Sequence, residues 1–190
     1  LGDVYKRQND DGLTKRSIIY WAKINNYKEY QSIRGETIDY FVEKTIEHDT
    51  DFDFAQVLYQ MFKDDFTCIS IKRDIWYIYI QHRWEENEGG TNLRMAISKD
   101  LHNIYFNKMI ELSNYIGSGS LDATSEKRSA LENKCKKITM ICNNLKRRGV
   151  KDNIMREAKE IFYDSEFIDK IDANPRLLCF NNGVLDFEAK

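Results

Sequence analysis

The side chains of this chain best placed to do chemistry are a carboxylate pair, Asp51-Phe-Asp53, and a scatter of cysteines and histidines. Two carboxylates that alternate on a strand can hold a divalent metal between them. Here the preceding Glu47-His-Asp-Thr50 does not read as the core of a strand, and an amphipathic helix starts at once. Asp51 and Asp53 therefore read as caps of that helix. Zinc needs four close ligands, usually in Cys-x-x-Cys pairs. Cys135 and Cys142 are seven positions apart, two turns of one helix, and no histidine has metal-type spacing. His82 lies inside an aromatic run and reads as a packed or hydrogen-bonded histidine. Gly117-Ser-Gly-Ser120 lacks the Gly-x-Ser-x-Gly order of a nucleophile elbow; it reads as a linker. No glycine-rich loop ends in Gly-Lys-Ser/Thr, so no phosphate loop is present. No catalytic, cofactor or metal site is assigned to these 190 residues.

Two sets of side chains suit nucleic acid. Residues 124–151 carry nine bases against two acids, among them Lys127, Arg128, Lys134, Lys136, Lys137, Arg147 and Arg148. Bases on an exposed helix face attract phosphates and release counterions. Residues 36–65 have the opposite balance, nine acids against two bases, so the basic helix has an alternative partner inside the chain. The second set is Tyr77, Tyr79 and Arg83, which share one face of an aromatic strand and can stack single-stranded bases. The competing reading is a second core face covered by helices.

The elements that must position these groups follow from periodicity. Residues 14–31 and 36–47 read as helices, and Phe54, Val57, Leu58, Met61 and Phe62 mark a third. The period then changes to two. Residues 66–72 and 75–84 read as strands joined at Arg73-Asp74, with a polar loop over 85–92 and a short third strand over 93–97. Ser98 is expected to cap a helix ending at Gly117. A basic helix follows with the apolar stripe Leu131, Cys135, Ile138, Cys142 and Leu145, then a last helix over residues 152–171. Asn181-Asn-Gly183 between two short apolar runs is a hairpin signal. The expected class is α+β, mainly helical, with a small antiparallel sheet near residues 66–84 and a C-terminal β-hairpin. One proline and nine glycines agree with long helices.

A 42% hydrophobic and 13% aromatic composition supports a real core. No apolar run approaches the roughly 18 residues of a membrane span, and no signal peptide is visible. The four scattered cysteines suit a reducing, intracellular compartment. Residues 1–8 resemble translated sequencing-adapter DNA from environmental assemblies and are set aside. With no initiator methionine and a strand-like run close to Lys190, the chain is expected to be a piece of a larger protein.

Three stretches together resemble one family. Ile75-Trp-Tyr-Ile-Tyr-Ile-Gln-His-Arg-Trp84, followed by Leu93-Arg-Met-Ala-Ile-Ser98, is similar to a pattern in the primase-helicases of poxviruses, giant DNA viruses and phages. It lies there in the domain preceding a superfamily-three helicase. Asn174-Pro-Arg-Leu-Leu-Cys-Phe-Asn-Asn-Gly-Val-Leu-Asp-Phe187 is similar to the segment leading into their ATPase, with Phe187 where leucine is usual. Tyr20-Trp-Ala-Lys23 with Glu29-Tyr30 looks like the end of a module after the primase, with Tyr27 where a proline often stands.

The resemblance divides the chain into residues 9–34, ending that module, 35–173, a helicase-preceding domain, and 174–190, leading to an ATPase. It implies primase carboxylates upstream of residue 1 and an ATP- and Mg-binding phosphate loop downstream of residue 190. The partners it implies are DNA, the neighbouring primase and helicase domains, and a homo-hexamer, in host cytoplasm or a viral factory. This piece would be a linker and DNA-contact domain. The rival is a scaffold whose acidic and basic helices pair between subunits.

Overall fold

The computed structural model describes residues 18, 19, 21, 22, 25–80, 83–118, 125–171, 173, 176–180 and 183–187. Helical residues near the start of that set give way at Asn26, whose side chain accepts from the Glu29 N–H at 3.4 Å and caps a new helix. That helix, α1, runs Tyr27–His48 without interruption, so the two helices expected over residues 14–31 and 36–47 are divided at Asn26 instead. At its end Asp49 turns left-handed, with φ 55°, and Thr50 caps α2, Asp51–Phe62, by accepting from the Asp53 N–H at 3.2 Å. The cap is thus Thr50. Asp51 and Asp53 occupy the first turn, where carboxylates face the positive end of the helix dipole.

A three-stranded antiparallel sheet follows, β1 (Phe66–Ser70), β2 (Ile75–Ile80) and β3 (Arg83–Glu88), in that spatial order. The run expected as one strand over 75–84 is therefore two, with Ile80 opposite Arg83. Trp76 pairs with Cys68 and Asn87 on the face turned to the helices, and its ring is fully buried against Phe162, centroids 5.6 Å apart. The backbone of residues 162–164 docks on β1: Cys68 N donates to Phe162 O, and Asp164 N to Cys68 O, both at 3.0 Å.

Residues 93–97, expected as a strand, are helical. Helix α3 (Thr91–Ala96) passes through a π-helical stretch, Ile97–Leu101, into α4 (His102–Gly117). Leu93, Ile97, Leu101 and Tyr105 are all fully buried, one every four residues, a helical period that the apolar run alone disguised. Ser98 does not cap; its hydroxyl donates to Leu145 O at 3.1 Å. Helices α5 (Ser125–Asn144) and α6 (Arg148–Ile161) follow, so Arg147 and Arg148 stand at a helix–helix corner and not on the basic helix. The helix expected over 152–171 gives way after Ile161 to the segment docked on β1 and a short α7, Phe167–Lys170. Beyond it β4 (Leu177–Phe180) pairs antiparallel with β5 (Gly183–Asp186).

Helix α2 is the centre. It packs on α1 and α6, while α4 and α5 pair antiparallel, with Ser113 near Cys135 and Thr139 reaching Met109. Val42, Phe54, Leu58, Trp76, Ile97 and Ile138 belong to one continuous apolar core.

Candidate nucleic-acid interface

Seen end-on at about 100° per residue, α5 has three sides. Ile138, Ile141, Cys142 and Leu145, the last just past its end, point to the core and are buried. Cys135 and Thr139 meet α4. Lys134 and Lys137 point to the opposite flank, against α1. The Lys134 ammonium meets the Glu43 carboxylate at 2.5 Å, and Lys108 of α4 meets its other oxygen at 3.2 Å. Lys137 donates to the main-chain oxygens of Ile46 and Glu47, at 3.0 and 3.1 Å, satisfying carbonyls at the end of α1. The acidic helix and the basic helix thus partner each other inside the chain through these two lysines.

Burial pushes the Glu43 carboxyl up, but its hydrogen bonds to Lys134 and Lys108 outweigh this and hold it below its usual 4.5. Lys108 is lowered by burial and raised more strongly by Glu43, to a net value above 10.5. A depressed carboxylate contributes stability above its unfolded value and loses it as pH falls through the folded one. A raised lysine contributes below its unfolded value and loses it as pH rises through the folded one. Glu43→Gln is therefore expected to flatten the fall in melting temperature below about pH 4.5 and above about pH 10.5. Thermal melts across pH check this, and a variant with the parent's acid and alkaline slopes would refute it.

The other bases named from the sequence are exposed. Lys127 and Lys136 make no ion pair among the described residues, and Arg128 meets Glu132 one turn away at 3.3 Å. Arg147 caps α6 without a side-chain bond, and Arg148 approaches Asp152 at 3.7 Å. Sequence reasoning missed two neighbours of that corner, Arg94 and Lys99 from the α3–π segment; Lys146 and Lys151, beside the two arginines, were counted among the nine bases but not named as contacts. The Arg94 guanidinium grips Asp152 Oδ1 through Nε and Nη2. The signal was present as Lys146-Arg-Arg148, but Arg94 and Lys99 lie about fifty positions away and only the fold brings them in.

Tyr77 and Tyr79 are half-buried and share their sheet face with Trp84. Tyr77 meets Phe167 of α7 at 5.5 Å between centroids, Trp84 meets Phe167 at 4.8 Å, and Tyr79 meets Trp84 at 5.2 Å. The aromatic face is thus covered in part by α7. Arg83, expected on that face, stands opposite Ile80 and so lies on the other side of the sheet, because the chain reverses before it; it pairs with Glu85 at 2.6 Å. His82 lies outside the described residues. Asp53 accepts from the Thr50 hydroxyl at 2.6 Å and approaches His48 Nδ1 at 3.5 Å, so it serves the α1–α2 junction. Among the described residues no three His, Cys, Asp or Glu side chains are grouped to hold a metal, and no helix is long and apolar enough to cross a membrane.

Comparison with known proteins agrees with the family pattern. Residues 55–190 match the family model described as D5 N terminal like. The chain is 30% identical over 178 residues to a protein of Acanthamoeba polyphaga mimivirus named as a candidate helicase, an alignment covering 93% of the chain and 18% of the relative. It is 24% identical over 206 residues to another so named in Frog virus 3, covering 93% of the chain and 20% of that protein. A candidate primase of African swine fever virus is 27% identical over 202 residues, covering 96% of the chain and 20% of its own length. The chain spans about a fifth of the length of these relatives.

Proposed function

The chain belongs to the D5 N terminal like family, and we propose that it is the linker and DNA-contact domain of a viral primase-helicase. The observation that carries this is the alignment of nearly the whole chain with a fifth of a protein named as a helicase or primase. In this reading, priming and ATP-driven unwinding belong to other domains of the parent, with ATP and Mg bound there, and the parent works as a hexameric ring. The gene continued past Lys190 is expected to encode a Gly-x-x-x-x-Gly-Lys-Ser/Thr loop within roughly a hundred residues, the span of one domain. The 190-residue chain itself is expected to hydrolyse no ATP.

Contact with DNA is supported by exposed bases: Lys127, Lys136 and Arg147 make no ion pair among the described residues, and the ion pairs of Arg128 and Arg148 are to neighbours one turn away. Lys134 and Lys137 leave this set, because α1 occupies them. The same fact weighs against a scaffold built by pairing acidic and basic helices between subunits, since that pairing is already made within one chain. Fluorescence anisotropy with labelled DNA is the test. Binding that weakens steeply between 50 and 200 mM salt is expected, by about one log unit per log salt for each phosphate contact. Absence of binding to any DNA at 50 mM salt would end the DNA-contact reading.

A further inference from the structure

The bases that the fold assembles from distant segments lie at the corner between α5 and α6, away from the α1 flank of α5. Residues 94–100 and 145–152 carry six bases, Arg94, Lys99, Lys146, Arg147, Arg148 and Lys151, against Asp100 and Asp152. The two segments are fastened together by the Ser98 hydroxyl on Leu145 O and by the Arg94 guanidinium on Asp152. Asp152 is shared between Arg94 and Arg148, so one carboxylate holds two cations in place and neutralises only one charge. Lys99, Lys146, Arg147 and Arg148 are exposed, and a side chain built at Gly149 would meet nothing within 4 Å. The surface is open, positive and rigidly backed.

We infer that this corner holds the phosphate backbone of duplex DNA. The choice of duplex follows from what the corner lacks and what it has. Neither segment contains an aromatic residue, so no ring is offered to an unpaired base. What it offers is closely spaced charge, and a duplex presents about one phosphate per 1.7 Å of axis, twice the density of one strand. Recognition by charge alone is blind to sequence.

The inference rests on the DNA-contact reading above, and the test separates the two. Anisotropy is run on the 190-residue chain with a labelled 20-base-pair duplex and one of its strands, at 50 and 200 mM salt. The parent chain is expected to bind the duplex more tightly than the strand. Lys99→Glu, Lys146→Glu and Arg147→Glu together should weaken duplex binding at least about tenfold and reduce the salt slope by roughly 2 to 3. The melting temperature should hold, because these three side chains make no ion pair among the described residues. Lys127→Glu with Lys136→Glu, the exposed bases of α5, should weaken duplex binding clearly less than the corner triple does. Loss of binding in that second variant but not the first would overturn the corner and leave DNA contact standing. Tighter binding to the single strand would overturn the duplex assignment. No binding of the parent chain to either would end both readings.

Discussion

Gly90→Ala is expected to destabilise the chain by about 2–4 kcal/mol, a fall of roughly 5–15 °C in melting temperature for a domain of this size. Gly90 has φ +62°, in the left-handed region where a Cβ is strained. The added atom would also lie 2.8 Å from Met155 Cε and 3.1 Å from Trp76 Cε2. The methionine can move, but the indole cannot. Its Nε1 is tied to Asp74 at 2.9 Å, Asp74 is tied to Lys159 at 2.9 Å, and its ring is wholly buried. Gly89 provides the control. It has φ +58°, yet its nearest neighbour would be Asp74 Oδ2 at 3.9 Å. Gly89→Ala should therefore cost only the backbone strain, about 1 kcal/mol. Chemical denaturation of both variants checks the contrast, and equal losses would refute the packing argument.

The second large effect concerns the flank between α1 and α5. Replacing Lys134 and Lys137 by glutamate should cost roughly 2–3 kcal/mol, since it removes two cations from Glu43 and the end of α1 and puts anions in their place. Each contact is partly exposed and modest alone, but reversal turns attraction into repulsion at both. Combining Lys134→Glu with Glu43→Lys should recover part of the loss, and a double-mutant cycle measures that coupling. Affinity for DNA should change little beyond what the lower stability explains. A variant that melts like the parent and loses DNA binding would assign these lysines to phosphate instead.

Much of this was legible beforehand, and the exceptions have physical reasons. The helix from Phe54 to Phe62 was plain, because its apolar residues recur at i, i+3, i+4, i+7 and i+8. The β2–β3 reversal was hidden, because residues 81–82 are Gln-His and lack the Asn-Gly or Gly-x chemistry that announces a two-residue turn. Leu93–Ile97 misled because a run that short fits either period, and its continuation through Leu101 and Tyr105 decides the matter. On the basic helix, periodicity gave the buried stripe but not the neighbour on each flank. Opposite charge in residues 36–65 identified the candidate partner for Lys134 and Lys137, and only tertiary structure reveals that the two are within reach. Tyr77 and Tyr79 were rightly placed on one face; the cover that α7 lends them comes from ninety residues downstream.

The sheet carries one more consequence. Three strands have two outer rims, and an open rim is a template on which another chain can add. The β1 rim is sealed by the main chain of residues 162–164, and the β3 rim carries Arg83, Glu85, Glu86 and Glu88, whose charges repel a like copy. The two protections fail differently. Salt weakens the second, whereas losing the segment after Ile161 removes the first outright and bares Cys68 and its neighbours. A chain shortened there also loses Phe162 from the core and should assemble edge to edge into insoluble aggregates, so the boundary chosen for any shorter form decides its solubility as well as its packing.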